Sequence, residues 1–481
     1  MMNKTVIGLE IHAQLITETK AFCSCRADVF DLEPNTAICP VCTGQPGTLP
    51  VLNKRVVEFA IMAGLAMNCT INKRSVFDRK NYFYPDLPKG YQITQYFFPI
   101  AENGFLYLEN GDEKRKIGIR RIHIEEDAGK MIHQGTDSIT GSSGSYVDLN
   151  RCGVPLIEIV TEPDLRSPAE ARIFMELLRD TVRALGVCSG DMEKGALRCD
   201  ANISMVDDSG RSSNRVEVKN INSFKFVEKA LEFEQERISR ILSSGGDVAK
   251  ETRSWSFSSK ETFSMRSKEE ENDYRYFPEP DLPELIVSED LIERIAGNLP
   301  ELPWEKIERF MKQYSLPRYD ATVLSSDGEI ASYFEEVAQT TRRPKESSNW
   351  IMGEVMRLMN EKELTVEEVR VSPEHFKELF GLIDEGKISN KIAKEIFPFI
   401  VEGRKSPLEI VKEKGLEQID DDKVIEDALS KAMTDNPSAV EQFRDGKEGV
   451  LGYFVGAVMK ATRGKANPSK VNEIARRMLK G

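Results

Sequence analysis

The sequence contains no G-x-x-x-x-G-K and no G-x-G-x-x-G, so neither a P-loop nor a dinucleotide-binding turn is available to cradle phosphates. No stretch of its 481 residues is apolar for long enough to span a bilayer. No apolar run follows Met1-Met2-Asn3-Lys4, so nothing directs the chain to an oxidising compartment, and the expectation is a cytoplasmic protein without disulfides. Positive charge is also scarce: 66 Lys and Arg stand against 79 Asp and Glu, a formal net charge of −13. That balance excludes a protein that coats nucleic acid by bulk electrostatics, so any RNA contact has to be local.

What is present divides near the proline cluster Phe277-Pro278-Glu279-Pro280-Asp281-Leu282-Pro283. Before it, period-two alternation predicts strands at 5–15, 115–125, 145–149, 155–160, 196–205 and 215–220, and a hairpin over 252–266. Two helical patterns interrupt them: Pro168 to Leu185, capped by Ser167, and about Lys225 to Leu242, ended by Gly245-Gly246. Beyond Glu284 the apolar spacing is helical, as in Ile330–Ala338, Trp350–Met359, Pro373–Ile383 and Asn390–Phe397, with a further break at Ser406-Pro407. The expected class is α+β: a β-rich domain over 1–292, an all-helical domain over 293–406 and a small helical tail over 407–481. The last stretch, Gly446 to Gly481, holds eight basic residues against two acidic ones, either a local anion-binding surface or a solvated helix face.

In Val6-Ile7-Gly8-Leu9-Glu10-Ile11-His12-Ala13-Gln14, alternation turns Glu10, His12 and Gln14 to one face. Cys23-x-Cys25 and Cys39-x-x-Cys42 follow, two close pairs that can close a tetrahedron of thiolates around zinc; the bland alternative is four small buried hydrophobes. The strand Lys116 to Glu126 runs into Asp127, placing three consecutive carboxylates before a glycine turn, and Glu158 shares a strand face with apolar Leu156 and Val160. Glu10, His12, Glu125 and Glu158 together are oxygen-rich with one imidazole, a magnesium set more than a zinc set, unless they are surface acids beside a core histidine. A third polar face carries Arg198, Asp200, Asn202 and Ser204, and Lys80, Lys89 and Lys219 are cations able to hold phosphates near a wet cleft, or else solvated surface lysines. The run Gly141-Ser142-Ser143-Gly144-Ser145 lacks the base arrangement of an amidase serine loop and reads as a turn, and no Cys stands in a glutaminase context. If ammonia is used, another polypeptide makes it.

At these residues the chain resembles the B subunit of the glutamyl-tRNA(Gln)/aspartyl-tRNA(Asn) amidotransferase. The matching segments run from Ile7–His12 and Pro34–Asn53 through Phe77–Asp86, Glu125–Lys130 and Pro155–Asp164, then Leu197–Ser204, Lys219–Phe224, Asp273–Pro280 and Gly456–Pro468. The resemblance implies a β-rich cradle domain, a helical domain and a small helical tail, working with an amidase A subunit and a small C subunit, and the basic stretch Gly446 to Gly481 is the expected hold on the tRNA body. It also implies ATP and Mg2+ as cofactors, a misacylated tRNA as substrate, and a matching non-discriminating aminoacyl-tRNA synthetase as a further partner. His12, Glu125 and Glu158 resemble that family's metal positions with Glu10 nearby, and Lys80, Lys89, Arg198, Asp200 and Lys219 become nucleotide contacts. Cys23, Cys25, Cys39 and Cys42 resemble a structural Zn2+ site that some members keep and others lack. The competing reading is a zinc-stabilised tRNA-binding scaffold without chemistry of its own, which would have no use for converging metal ligands.

Overall fold

The alternating pattern at the start of the chain builds an 11-residue strand, β1 (Lys4–Gln14), which buries Ile7, Leu9, Ile11 and Ala13 and turns Glu10, His12 and Gln14 the other way. In this computed structural model, residues 4–110, 113–134, 144–207, 210–267, 274–403, 405–416, 422–462 and 466–480 are described. Gly141–Ser143 of the serine-rich run, Asp273 of a matched segment, and Arg463, Lys465 and Gly481 of the basic stretch lie outside the described residues.

After β1 come α1 (Lys54–Ala66), β2 (Thr70–Ile71), β3 (Arg74–Asn81), β4 (Tyr91–Phe98), β5 (Ala101–Asn110) and β6 (Glu113–Glu126). There follow β7 (Lys130–His133), β8 (Ser145–Asp148), β9 (Pro155–Thr161), α2 (Pro168–Ala184), β10 (Leu197–Val206), β11 (Val216–Ile221) and α3 (Phe224–Ser243). The series closes with β12 (Glu251–Ser256), β13 (Glu261–Ser267), β14 (Phe277–Pro278), β15 (Leu285–Ile286) and α4 (Glu289–Ala296). Nine strands form one sheet in the order β13-β12-β11-β10-β1-β9-β6-β5-β2, with β1 at its centre. Every neighbour pair is antiparallel except β11 with β12. A smaller sheet gathers β4, β14 and β15 onto β3, and β7 pairs with β8.

Ser167 starts α2 by accepting the backbone N–H of Glu170, as its position before the helical pattern predicts, and Ser223 starts α3 in the same way by accepting that of Phe226. The amphipathic face of α3 buries Val227, Ala230, Leu231 and Ile238, and Gln235 Nε2 donates to Thr5 Oγ1 at 2.7 Å. That bond ties α3 to the apolar face of the sheet, where it packs chiefly on β10 and β11 and each aliphatic side chain removed from water contributes roughly 1.5–3 kcal/mol. The polar face of the large sheet is left to build a site.

The chain divides into Met1–Pro303 and Trp304–Gly481. The first unit continues past residue 292 through α4, whose Arg294 pairs with Glu58 of α1 at 3.5 Å. All regular structure described in the second unit is helical. Gly328–Thr341, Pro373–Asp384 and Asn390–Gly403 extend the predicted helices, while the pattern at Trp350–Met359 runs through a π segment, Ile351–Val355. Two cores form there: one around Tyr333, Phe334, Phe376 and Phe397, the other around Leu429, Phe454, Val458 and Ile474. Ile410 and Val411 of the helix Pro407–Glu413 belong to the first core, so the packing divides after that helix and not at 406/407.

Candidate catalytic cleft and cysteine site

Strand register assembles the polar face row by row. Arg198 of β10, His12 of β1, Glu158 of β9 and His123 of β6 lie in one row across four strands, and Asp200, Glu10, Val160 and Arg121 form the next. Glu125 joins from β6 two residues beyond His123. His12 Nε2 lies 3.3 Å from Glu125 Oε1 and 3.5 Å from Glu158 Oε2, and His123 Nε2 is 3.1 Å from the same Glu158 oxygen.

The orientation of β6 depends on an irregularity in its pairing with β9 between Ile119 and Arg121. Before it Ile117 and Ile119 are buried; after it Ile122 and Ile124 are, and Arg120, Arg121, His123 and Glu125 all border the cleft. His123 was readable from its two-residue spacing to Glu125 but was not picked out by sequence reasoning.

Burial works against the charge on His12, but the hydrogen bonds to Glu125 and Glu158 hold its imidazolium, pushing the pKa up to about 10. Burial likewise opposes ionisation of Glu125, yet His12 and then His123 bring it down to about 2, and Glu158 is held well below the carboxylate range in the same way. Two buried carboxylates therefore share a site that demands positive charge, which the imidazolium supplies and which a bound cation would supply in its place by displacing the Nε2 proton. One oxygen from each carboxylate and one nitrogen of His12 lie within 4.8 Å of one another. The 3.3 and 3.5 Å separations are near the roughly 3 Å edge of an octahedron with bonds of about 2.1 Å, so the donor set fits Mg2+. Glu10 stands one row away, where Asn202 Nδ2 donates to its Oε1 at 3.0 Å.

Around this centre a cleft of about 840 Å3 opens, acidic in the middle and cationic at its borders. Lys80 and Lys219 border it, as does Asp200, which accepts from Lys219 Nζ at 2.6 Å. Burial disfavours both ammonium groups, but Tyr276, Glu125 and Glu158 hold Lys80 charged, and Asp200 and Glu217 hold Lys219 charged. Sequence reasoning missed Arg121, Arg215 and Lys250 on the same border, and an aromatic wall in which Tyr96 and Tyr276 stack at 4.0 Å and Lys80 Nζ sits 4.9 Å from the Tyr274 ring. These residues lie in loops and in strands without clean alternation, so only the fold joins them.

Two expected nucleotide contacts stand elsewhere. Arg198 shares the row of His12, but its Nη2 donates to Asp127 Oδ2 at 2.8 Å and it does not border the cleft. Lys89 borders a separate small cavity, where its ammonium is bonded to Glu126.

The four paired cysteines do converge, with Sγ atoms all within 4.8 Å. Cys42 accepts the N–H of Cys39 at 3.2 Å. A hydrogen bond from Cys23 outweighs burial and brings Cys42 down to about 5, while Cys42 followed by burial pushes Cys23 up, and burial followed by Cys39 pushes Cys25 up to about 11. The thiols thus share their negative charge unequally, and a bound cation would let all four ionise, as a closed tetrahedral zinc site requires.

The basic stretch near the end of the chain is partly neutralised. On the helix Pro468–Lys480, Lys470 pairs with Asp422 at 2.7 Å, Arg476 with Glu448 at 3.6 Å and Arg477 with Glu426 at 2.5 Å. No described helix is long and apolar enough to cross a membrane.

Comparison with known proteins agrees along the whole chain. A family profile described as the GatB/GatE catalytic domain matches residues 5–293, and one described as the GatB domain matches residues 332–479. The B subunit of the aspartyl/glutamyl-tRNA(Asn/Gln) amidotransferase of Thermotoga maritima is 61% identical over 482 residues, covering 100% of both chains. The proteins of the same name from Thermosipho melanesiensis and Caldicellulosiruptor saccharolyticus are 58% and 52% identical, over 100% of this chain and 100% and 99% of theirs. With profiles and relatives agreeing from end to end, the chain belongs to the family of aspartyl/glutamyl-tRNA(Asn/Gln) amidotransferase B subunits.

Proposed function

We propose that this chain carries the ATP-dependent step that turns Glu-tRNA(Gln) into Gln-tRNA(Gln), or Asp-tRNA(Asn) into Asn-tRNA(Asn), in the cleft of its first unit. The γ-phosphoryl group of ATP passes to an oxygen of the misacylated side-chain carboxylate, giving an acyl phosphate and ADP. Ammonia attacks the acyl carbon, the C–O bond to phosphate breaks, and a proton lost by the nitrogen leaves with phosphate. The observation that carries this reading is the convergence of His12, Glu125 and Glu158 from three strands onto one point inside a border of cations.

Mg2+ held by those three residues, with Glu10 beside them, supplies neutralisation of the triphosphate. The side chains do the positioning. Lys80 and Lys219 offer fixed ammonium groups to phosphate oxygens, and Asp200 keeps Lys219 on station. Arg198 pairs with Asp127, next to the strand end that carries Glu125, and Cys23, Cys25, Cys39 and Cys42 hold a structural Zn2+ that stiffens the loop after β1. The partners are an amidase A subunit that releases ammonia from glutamine, a small C subunit, the misacylated tRNA and its non-discriminating synthetase, in the cytoplasm. The tail grips the tRNA body.

In the complete amidotransferase, Glu125→Ala is expected to abolish amide formation while glutamine hydrolysis by the amidase partner continues. Normal amide formation by this variant would remove the metal assignment and the mechanism with it.

A further inference from the structure

We infer that the buried pair Lys89–Glu126, together with Gln92, is a positioning device that aims Glu125 into the cleft and ties its placement to the cysteine loop. This rests on the proposal that Glu125 holds the metal ion.

The end of β6 would otherwise be poorly held. Ile122 of β6 pairs with Ala101, the first residue of β5, so over residues 123–126 that edge of β6 has lost its neighbouring strand. The smaller sheet takes over with side chains. Gln95 Oε1 accepts from Ile124 N at 3.0 Å, and Gln92 Nε2 donates to Glu126 O at 2.6 Å. Both glutamines are buried. Glu126 then accepts Ile93 N at 3.0 Å through Oε1, the oxygen that Lys89 also reaches. Because alternate residues of a strand face opposite ways, a pin on Glu126 fixes the direction in which Glu125 leaves the backbone.

The pin is itself held by the loop that carries the cysteines. Gly44, two residues after Cys42, has φ +69°, and a Cβ there would lie 2.5 Å from Lys89 Cγ and 3.0 Å from Lys89 Cα. The loop backbone therefore presses directly on the Lys89 stem. A cavity of about 60 Å3 between them is bordered by Cys23, Cys42, Gly44, Lys89 and Glu126. The side chains of Lys89 and Glu126 are only 8% and 3% exposed and neither borders the catalytic cleft, so a direct contact with nucleotide does not explain them. A buried carboxylate and ammonium survive there only as partners.

The test is the metal affinity of the complete complex carrying Lys89→Met, Lys89→Arg or Gly44→Ala, read directly as Mn2+ binding by electron paramagnetic resonance without ATP or tRNA and, beside it, as the Mg2+ requirement of amide formation. In Lys89→Met and Gly44→Ala the Mn2+ dissociation constant and the Mg2+ concentration for half-maximal amide formation are expected to rise at least about tenfold, the size of effect that lost outer support has on a metal site. The KM for aminoacyl-tRNA and the rate of glutamine hydrolysis stay unchanged, and Lys89→Arg restores most of the loss. Unchanged Mn2+ affinity and an unchanged Mg2+ requirement in Lys89→Met overturn the inference, even if the maximal rate falls. If Lys89→Met does not accumulate as folded protein, Gly44→Ala, which keeps both charged groups, decides by the same criterion. If Glu125→Ala is inactive while these variants need no extra Mg2+, only the coupling fails; if Glu125→Ala is active, the reading of the cleft fails first.

Discussion

Lys20 has no exposed surface; its ammonium donates to Ala37 O at 2.7 Å and stands 3.7 Å from Cys42 Sγ. Four thiolates around Zn2+ leave a net charge of about −2, which a half-buried loop tolerates only with compensation nearby. Lys20→Met keeps the aliphatic stem and removes the charge, so zinc affinity is expected to fall roughly tenfold, read by competition with a chromophoric chelator. Equal affinity would mean that Lys20 only packs. No sequence signal marks this lysine, since composition and spacing give Lys20 the look of any turn lysine before a cysteine pair. His123 is the opposite case: its spacing to Glu125 places both on one strand face, and the row with Glu158 follows from register once β6 and β9 pair. Lys89 shows the limit, because a lysine near a cleft in sequence pattern turns out to face Glu126 behind it.

A strand can be legible in type and still hide its geometry. The large sheet was readable because β1, β10 and β11 alternate cleanly and β9 is a short apolar, β-branched run, whereas β3, with Asp78 buried beside Phe77, has no period-two signal and went unseen along with β4 and β5. The irregularity in β6 is written in the sequence as a phase slip, from Ile117 and Ile119 to Ile122 and Ile124. The extra residue at the irregularity absorbs that slip, so that all four isoleucines face the core. One residue added downstream, where the alternation is regular, exchanges the two faces beyond it. Insertion of an alanine between Ile122 and His123 is therefore expected to turn His123 and Glu125 toward the apolar side and Ile124 toward the cleft. Burial of unpaired charges of this kind costs more than about 4 kcal/mol, so the insertion should unfold the first unit or leave it with a strongly lowered Tm by calorimetry. A variant with wild-type Tm would show that the two faces are set by neighbours and not by the phase of β6.

Across the whole molecule the difficulty is electrostatic. A chain of net charge −13 has to bring a polyanion to a cleft built on carboxylates, so the hold must come from a local cationic surface. The last helical core, from Ile425 to Leu479, presents such a surface, but Lys470, Arg476 and Arg477 are already paired with Asp422, Glu448 and Glu426. Exposed pairs of this kind contribute only about 0–1 kcal/mol each, so a phosphate can take the cation over at little cost. The basic composition was legible; the acids that answer it, brought in from the helix Asp422–Asp435 and from Glu448, were not. Because Ile410 and Val411 belong to the preceding core, the clean cut lies after Leu416. Removing everything beyond it is expected to raise KM for aminoacyl-tRNA and to flatten its dependence on salt, each lost phosphate contact taking about 0.7–0.9 from the logarithmic slope. The KM for ATP and glutamine hydrolysis by the partner should hold, because the metal cleft and the amidase partner are untouched. If the truncated complex kept the same salt slope and the same KM for aminoacyl-tRNA, the basic helix would be a solvated face already balanced by its own acids, and the tRNA hold would have to lie on another surface.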